Sequence, residues 1–431
     1  MLIHLQALGC RLNEAELELW ANGFRRQGHS LAPVAEDADV VVINTCAVTA
    51  DAVRKSRQLV RKAHRANPRA KLIVSGCHAS LSPDEVRTEL GADLVVGNED
   101  KDRLVDLAIS ALDLPTMPEA ATEPAEVSLF QRGRQRAFIK VQDGCRYRCT
   151  YCIVTVARGE ERSRPTTDVV EEINRLHGQG VNEVVITGVQ VGGYGNGIGG
   201  SLPGLIRTVL KDTDVPRIRL GSVEPWSLDD DFFDLFSNAR FMPHLHLPLQ
   251  SGCDSVLRRM ARKTRVADFE AMAERLRTAA PRFNLTTDII VGFPGETDAE
   301  WSATVDTVQR IGFGHIHIFS YSDRAGTKAA GLPDKVDKAV KKQRSAQLHT
   351  LAGEQKRALL RDQVGSTAPI LWERPTQGPT PDTRRWFGYT PNYLRVRMDA
   401  NADLDLENTI VNVELTGMDP EHDVLMSNLE A

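Results

Sequence analysis

The sequence lacks the features that mark a membrane-spanning or secreted protein. No apolar run in its 431 residues approaches the roughly 18 residues that a membrane-spanning helix needs. The first segment, MLIHLQALGC, carries neither a basic leader nor a small-residue cleavage site, so we expect no signal peptide. We therefore predict a cytoplasmic protein whose thiols stay reduced.

Cysteine is scarce, and its count is odd. The seven cysteines cannot all pair, so metal ligands or nucleophiles are a better interpretation than a disulfide framework. The chain is too long for one hydrophobic core, and its 41% hydrophobic and 26% charged residues are typical of soluble globular domains. We expect about two to four domains.

Charge of one sign is missing from two segments. Residues 54–71 hold eight Lys or Arg and no acid, whereas residues 399–431 hold nine acids and no Lys or Arg. A net charge of −5 argues weakly against bulk binding of nucleic acid, but a local basic field can steer a polyanion. On a predicted helix, the basic run would contact phosphates without reading bases. The alternative is a solvated helix face.

Strand and helix patterns divide the chain into parts. Residues 1–113 alternate apolar strands with amphipathic helices, which predicts an α/β domain with a doubly wound parallel sheet. Residues 114–135 begin with a Pro-, Ala- and Glu-rich stretch and predict a linker. About six βα units in residues 136–356 predict a partial (β/α)6 barrel. Short strands and turns in residues 357–431 predict a small antiparallel β module.

Three cysteines follow predicted strands of the first domain. Cys10 ends LQALGC, Cys46 ends VVINTC and Cys77 ends LIVSGC. Because the carboxyl ends of parallel strands line one edge of a sheet, where ligands bind, we expect the three thiols to converge. The alternative is that each is a small buried hydrophobic residue.

Three more cysteines lie within the segment GCRYRCTYC. Cys145, Cys149 and Cys152 follow a predicted strand, and the next histidine along the chain is His177. A structural zinc site normally has a fourth ligand, whereas three thiolates suit an iron–sulfur cluster with one open iron. A zinc knuckle that lacks one ligand is the alternative. We expect the remaining cysteine, Cys253, to be structural.

The segment CRYRCTYC resembles the CxxxCxxC motif of the radical S-adenosylmethionine enzymes. In that family the cofactor's amino and carboxylate groups bind the open iron, and the cluster cleaves the cofactor to a 5′-deoxyadenosyl radical. The segments ITGVQVGGYG, GSVEPWSL, HLPLQSG and DIIVGFPGETDAEW resemble those that surround the cofactor. The resemblance implies cofactor contacts from Gly188, Ser222, Glu224, Gln250 and Gly292. Each polar one is otherwise an ordinary group at a strand end.

The order of the domains resembles that of the methylthiotransferases. The resemblance implies that Cys10, Cys46 and Cys77 hold an auxiliary 4Fe–4S cluster beside the catalytic 4Fe–4S cluster of the other triad. One S-adenosylmethionine then methylates sulfur and a second yields the radical, which opens an unactivated C–H bond. A reductant protein such as flavodoxin or ferredoxin is also implied.

The C-terminal module resembles the TRAM domain, a small RNA-binding barrel. Its basic and aromatic residues suit RNA binding. They are Arg384, Arg385, Trp386, Tyr389, Tyr393, Arg395 and Arg397. Arg158, Arg162 and Arg164 follow the cysteine loop and are further candidates for contact with RNA or substrate.

Several segments look most like the branch that acts on threonylcarbamoyladenosine. They are ALGCRLNEAELE, NTCAVTADAVRKSRQLVRKAHRANP, FIKVQDGCRYRCTYCIVTVARGEERSR and GYTPNYLRV. The branch implies methylthio addition to C2 of N6-threonylcarbamoyladenosine at position 37, beside the anticodon of tRNA. CIVTVARG departs from the usual Ile-Ile-Pro after the third cysteine, which affects the geometry of the cluster loop.

Other functions stay open at this point. Within the same chemistry, the substrate is alternatively isopentenyladenosine of tRNA or an aspartate of a ribosomal protein. A radical enzyme with a different sulfur or carbon transfer would explain the second cysteine triad and leave the first unexplained. From another class, a non-catalytic, metal-bearing RNA-binding protein would leave the cofactor-like segments unexplained.

Overall fold

The structure is a computed structural model that describes residues 1–116, 135–419 and 421–429. The predicted linker, 114–135, lies mostly outside the described residues. The chain forms two compact units. The first combines the N-terminal region with Gln142–Arg162 and Ser322–Gly331, and the second holds the rest of the central region and the C-terminal strands. The loop of Cys145 therefore belongs with the N-terminal cysteines.

The secondary structure follows the predicted alternation closely. The strands are β1 Leu2–Ala7, β2 Ser30–Leu31, β3 Val40–Thr45, β4 Lys71–Gly76, β5 Leu94–Val96, β6 Arg136–Lys140, β7 Gln142–Asp143, β8 Arg162–Ser163, β9 Glu183–Thr187, β10 Arg217–Leu220, β11 His244–His246, β12 Asn284–Val291, β13 His315–Ser320, β14 Thr367–Trp372, β15 Thr376–Gln377, β16 Thr383–Tyr389, β17 Arg395–Asn401, β18 Ile410–Asp419 and β19 Val424–Leu429. The α-helices are α1 Arg11–Arg26, α2 Ala50–Ala66, α3 Cys77–Leu81, α4 Pro83–Thr88, α5 Leu104–Leu112, α6 Val154–Arg158, α7 Thr166–Gly178, α8 Leu202–Asp212, α9 Asp230–Phe233, α10 Asp254–Arg259, α11 Val266–Ala279, α12 Asp298–Ile311 and α13 Lys338–Gln363. No helix in the described ranges combines the length and apolar character needed to cross a membrane.

The first unit contains the predicted doubly wound sheet. Its parallel strands run in the order β2-β1-β3-β4-β5. Alternate residues of β3 enter different cores, Val41 and Ile43 on one face and Val40 and Val42 on the other. Because both faces are covered by helices, the strands read as continuous apolar runs rather than alternating ones.

The second unit contains the predicted partial barrel. Parallel strands form two sheets, β6-β9-β10 and β11-β12-β13. Single bridges from Ile218 to Phe241 and from Ser222 to His246 join the sheets into one curved wall. Apolar residues on the outer face pack against the surrounding helices in one core. By strand alternation the inner face carries polar residues such as Lys140, Thr187 and Asp288 among apolar ones, so it can bind a partly polar ligand.

The C-terminal strands close into a small barrel. The sheet runs β14-β18-β19-β17-β16-β15, and an additional β14–β16 pairing closes it. The pairs are antiparallel, as predicted, except that β17 and β19 are parallel. The sequence patterns predicted β14, β17 and β18, whereas β15, β16 and β19 were not predicted as separate strands. Helix α13 is continuous across the predicted domain boundary at residues 356 and 357.

Buried charges attach the small barrel to the base of the central one. Arg217 donates to the carbonyl oxygens of Tyr389 and Pro369, at 3.0 and 2.6 Å. Arg219 donates to the carbonyl of Pro391 at 3.0 Å. Glu183, which is fully buried, accepts from Arg219 at 3.2 Å and compensates this charge.

Candidate functional site

The N-terminal cysteines lie at one edge of the first sheet. Cys10 directly precedes α1, Cys46 directly follows β3, and Cys77 begins α3 at the end of β4. Strands β1, β3 and β4 are adjacent, so the three positions meet beyond their carboxyl ends. A β-carbon on Gly9, whose φ is +119°, would lie 2.7 Å from Cys46 Cβ. Only glycine fits there, because the chain before Cys10 passes directly over Cys46.

The three thiols influence one another electrostatically. Burial raises the pKa of Cys46 to about 11, and the nearby Cys10 and Cys77 also raise it. Cys46 and Cys77 are buried, whereas the Cys10 residue is exposed, although burial of its thiol raises the pKa of Cys10 as well. A metal that binds here must displace thiol protons, as metals at cysteine sites do.

The second triad lies in a tight loop between β7 and α6. Gly144 has a φ of +73°, and a β-carbon there would lie 1.8 Å from the carbonyl oxygen of Glu160. The loop is closed by hydrogen bonds from the Cys145 amide to the Gly159 carbonyl and from the Cys152 amide to the Cys149 carbonyl, both 3.0 Å. All three thiols are half-buried. Backbone hydrogen bonds at Cys145 and Cys152 thus fix the loop that carries the three thiols.

The spacing of their ligand atoms distinguishes the cysteine triads from a single-ion site. Within the described residues, the only set of three potential ligand atoms within 4.8 Å of one another is His246, Asp288 and His317. Neither cysteine triad draws its sulfurs that close. A cube of irons and sulfides holds its cysteine sulfurs farther apart than one tetrahedral zinc ion does, and it accepts three protein thiolates.

A buried arginine connects the segments that carry the two triads. Arg158 is 3% exposed and donates to Asn13 Oδ1 at 2.8 Å, Glu16 Oε1 at 3.0 Å and Asp143 Oδ1 at 3.0 Å. Glu16 is also bound by Lys101 at 2.7 Å. Of the two contacts predicted for Arg158, with RNA or with substrate, contact with RNA is excluded in this structure, because its guanidinium is enclosed. It ties the helix after Cys10 to the strand before Cys145.

Two of the predicted cofactor residues lie past strand ends of the second unit. Gly188 directly follows β9, and the exposed Ser222 follows β10, bridged to His246 of β11. Glu224 is not an isolated carboxylate. Arg262 donates to both of its oxygens, at 3.0 and 2.7 Å. Arg262 was not predicted from the sequence, because an ion pair between residues 38 positions apart leaves no local signal.

Gln250 has the strained backbone that functional positions often carry. Its φ is +73°, unusual for a residue other than glycine. Its amide donates to the Asp288 carbonyl at 2.8 Å, and its own carbonyl accepts from the Ile290 amide at 2.9 Å. These bonds to β12 hold the backbone in place.

Packing within the second unit explains why residue 292 is a glycine. Its φ is +73°, and a β-carbon there would lie 2.2 Å from Lys341 Cγ. Its amide donates to Glu296 Oε2 at 2.9 Å, and Arg344 binds the same oxygen at 2.7 Å. Contact between Gly292 and the cofactor stays a prediction that involves its backbone only.

A capping box starts the helix after Gly292, as the Thr-x-x-Glu pattern of Thr297 and Glu300 predicts. Thr297 Oγ1 accepts from the Glu300 amide at 3.2 Å, and Glu300 Oε2 accepts from the Thr297 amide at 3.0 Å. Helix α12 therefore starts where the sequence pattern indicated.

The residues predicted to contact RNA differ in accessibility. Trp386 is fully buried, so the expectation that it contacts RNA is wrong.

Most of the other predicted RNA-binding residues contact side chains of the protein. The rings of Tyr389 and Tyr393 stack with their centroids 4.9 Å apart, and the guanidinium of Arg136 lies over both rings. Arg395 covers Phe387, and Arg385 and Arg397 pair with Asp399 and Asp419. Arg384 is exposed.

On helix α2 the basic residues form an exposed face. Arg61, Lys62 and Arg65 are exposed, while Val60 and Ala63 on the other face are buried. Nearer the start of α2, Arg54 and Lys55 pair with Asp51, and Arg57 pairs with Glu85. The C-terminal turns of α2 therefore carry most of the positive charge that is not paired on the helix.

Comparison with protein families gives two matches. The first family model is described as uncharacterized protein family UPF0004 and matches residues 2–97. The second is described as the radical SAM superfamily and matches residues 139–308. These matches contain the first and second cysteine triads, respectively.

Similar curated proteins align over most of the chain. A Thermotoga maritima protein named threonylcarbamoyladenosine tRNA methylthiotransferase MtaB is 38% identical over 79% of this chain and 80% of its own length. A Bacillus subtilis protein of the same name is 34% identical over 93% of this chain and 91% of its own. A tRNA-2-methylthio-N(6)-dimethylallyladenosine synthase from Novosphingobium aromaticivorans is 33% identical over 96% and 95%.

A solved structure shares the fold. The radical S-adenosylmethionine methyltransferase TsrM from Kitasatospora setae, with cobalamin and a [4Fe-4S] cluster bound, aligns with a TM-score of 0.58. The alignment covers 76% of this chain and 77% of that one at 18% identity. At this identity the likeness supports the fold alone.

Proposed function

This chain belongs to the radical S-adenosylmethionine methylthiotransferases, and from that membership we propose that it modifies tRNA with the help of two 4Fe–4S clusters. Its substrate in this proposal is N6-threonylcarbamoyladenosine at position 37, which receives a methylthio group at C2. The names of the relatives from Thermotoga maritima and Bacillus subtilis support this choice. We place the reaction in the cytoplasm, with a flavodoxin- or ferredoxin-like reductant.

One observation carries the two-cluster proposal. The first unit contains six of the seven cysteines, as two separate sets of three. Within the described residues, neither set has the spacing of a single-ion site. In the proposal Cys145, Cys149 and Cys152 hold the catalytic cluster, and Cys10, Cys46 and Cys77 hold the auxiliary one.

The residues of the chain hold and position these groups. When bound, the clusters and S-adenosylmethionine supply the carbon radical chemistry, the methyl group and the sulfur. Arg158 holds the Cys145 loop against the helix that follows Cys10. Gly188, Ser222, Glu224, Gln250 and Gly292 line the proposed cofactor cradle, with Arg262 fixing the Glu224 carboxylate. The exposed cations of α2 bind tRNA phosphates.

Iron content tests the cluster assignment. Anaerobically reconstituted protein should contain about eight irons per chain, and a Cys145/Cys149/Cys152 triple alanine variant about four. About four irons that fall to none would mean that the N-terminal cysteines hold no cluster, and the two-cluster proposal would be rejected.

The nucleoside product tests the substrate. The chain is expressed in a bacterial strain that lacks tRNA methylthiotransferases, and digested tRNA is examined by mass spectrometry. We expect 2-methylthio-N6-threonylcarbamoyladenosine. The 33% identical dimethylallyladenosine synthase favours a second candidate, which would instead yield the methylthiolated isopentenyladenosine. If neither modified nucleoside is formed, a ribosomal protein becomes the substrate to examine.

A further inference from the structure

Three strands of the second unit bring metal-ligating side chains to one face. Strands β11, β12 and β13 are parallel neighbours, with His246 opposite Thr286 and Asp288 opposite His317. Successive side chains of a strand point to opposite faces, so His246, Asp288 and His317 share the inner face of the curved wall. Leu245, beside His246, packs into the core on the outer face.

Among the described His, Cys, Asp and Glu residues, these three side chains form the one group whose ligand atoms lie close enough to share an ion. One ligand atom from each of His246, Asp288 and His317 lies within 4.8 Å of the other two, a grouping found once among the described residues. His246 Nε2 is 3.2 Å from Asp288 Oδ1. The first two side chains are half-buried and His317 is exposed, so the group is held in place and open to solvent.

A neighbouring threonine orients the first histidine. Thr286 Oγ1 lies 3.0 Å from His246 Nδ1 and 3.4 Å from the Leu245 carbonyl oxygen. A metal on Nε2 of His246 requires the tautomer whose proton is on Nδ1, and Thr286 Oγ1 is placed to accept that proton. Asp288 Oδ1, 3.2 Å from Nε2, is then close enough to share the same ion. Histidine ligands of metals usually have such a partner on the other ring nitrogen.

We propose that His246, Asp288 and His317 bind a divalent first-row transition ion, for which Zn²⁺ is the best match. Two imidazoles and one carboxylate form a donor set that zinc uses in sites with three protein ligands. Such a set leaves at least one coordination position for water or a substrate oxygen. The site contains no cysteine, so it shares no ligand with either cysteine triad, and its backbone adjoins Ser222 and Gln250 of the proposed cofactor cradle.

Zinc content of cluster-loaded protein tests the site. The tag-free, reconstituted chain is equilibrated with buffered Zn²⁺, dialysed, and assayed for zinc and iron. We expect about one zinc per chain in the parent and in His315→Ala, and little in His317→Ala and Asp288→Asn. His315 is the matched control, because its ring centroid lies 4.6 Å from that of His317 but it is not one of the three proposed ligands. Unchanged iron content in all variants would show that they fold and keep their clusters.

X-ray absorption at the zinc edge identifies the ligands. Nitrogen and oxygen neighbours at about 2.0–2.1 Å are expected, without sulfur at about 2.3 Å. Sulfur neighbours, or equal zinc in the parent, His317→Ala and Asp288→Asn, would assign the zinc to cysteines and overturn the proposal. Absence of zinc from the parent would show that Asp288 and the histidines form only a hydrogen-bonded network, which would overturn it equally.

Discussion

Among individual residues, Arg158 is the one whose buried ion pairs are expected to matter most for the stability of the first unit. Its guanidinium is enclosed by Asn13, Glu16 and Asp143, two of them carboxylates. Removing one partner of a buried ion pair leaves an uncompensated charge and typically costs about 3–5 kcal/mol.

We expect Arg158→Ala to destabilise the first unit by about 3–5 kcal/mol. The loop before Cys145 and the helix after Cys10 would lose their common partner, so iron incorporation at both triads should fall. Urea unfolding and iron assays measure the two effects. Arg148→Ala is the control, since Arg148 is exposed in the same loop. Normal iron content in Arg158→Ala would show that Arg158 does not position the cysteines.

Single cysteines separate the two proposed clusters. We expect Cys152→Ala to abolish cleavage of S-adenosylmethionine to 5′-deoxyadenosine. Cys46→Ala should keep cleavage but lose methylthio transfer, because the two triads do different chemistry in the proposal. Chromatography of cleavage products and mass spectrometry of tRNA nucleosides measure the outcomes. Cys253→Ala should change neither, and equal loss of cleavage in both triad variants would contradict this division.

Among the elements, β9 depends on a buried charge cluster. Glu183 is fully buried, and the adjacent arginines, above all Arg219 and Arg136, hold its pKa at about 2 against the opposing effect of burial. Since its unfolded pKa is about 4.3, the carboxylate contributes stability that is present at neutral pH and is lost as the pH falls toward 2.

We expect Glu183→Gln to lower the free energy of unfolding at pH 7 by about 3–5 kcal/mol. The difference from the parent should shrink as the pH falls below about 4, because the parent carboxylate then protonates in the unfolded state. Thermal unfolding between pH 7 and pH 3 measures this difference. Glu171→Gln on α7 is the matched control, because Glu171 is exposed. A difference that is independent of pH would mean that the charge of Glu183 contributes nothing.

In the whole molecule, uneven charge matters more than net charge. The chain carries a net −5, yet α2 presents Arg61, Lys62 and Arg65 to solvent. Cations that contact phosphates release counterions, which makes binding dependent on salt.

We expect an Arg61→Ala, Lys62→Ala, Arg65→Ala triple variant to bind tRNA more weakly. Its plot of log affinity against log salt should be shallower by roughly 2–3, since each lost phosphate contact removes about 0.7–0.9 from the slope. Filter binding at several salt concentrations measures this slope. Alanine at Lys338, Lys342 and Arg361, exposed cations of α13, is the control. An unchanged slope would make α2 an ordinary solvated helix.

The sequence by itself determined the local order of the chain. Apolar runs such as residues 40–45 bury both faces and read as parallel strands, and the Thr297–Glu300 pair marks the start of a helix. The six cysteines of the triads were also visible, because their positions depend on strand ends and on spacing within one loop. Short-range physical rules are sufficient for features of this kind.

Only the tertiary structure decided which distant side chains meet. Arg158 with Glu16, Arg262 with Glu224, and His246 with Asp288 and His317 are pairs or groups whose members lie far apart in sequence. Their contacts arise from the stacking of strands and the closure of loops, which leave no periodic signal. The burial of Trp386 and of Arg158 was not predictable from the sequence for the same reason, because accessibility is a property of the packed chain.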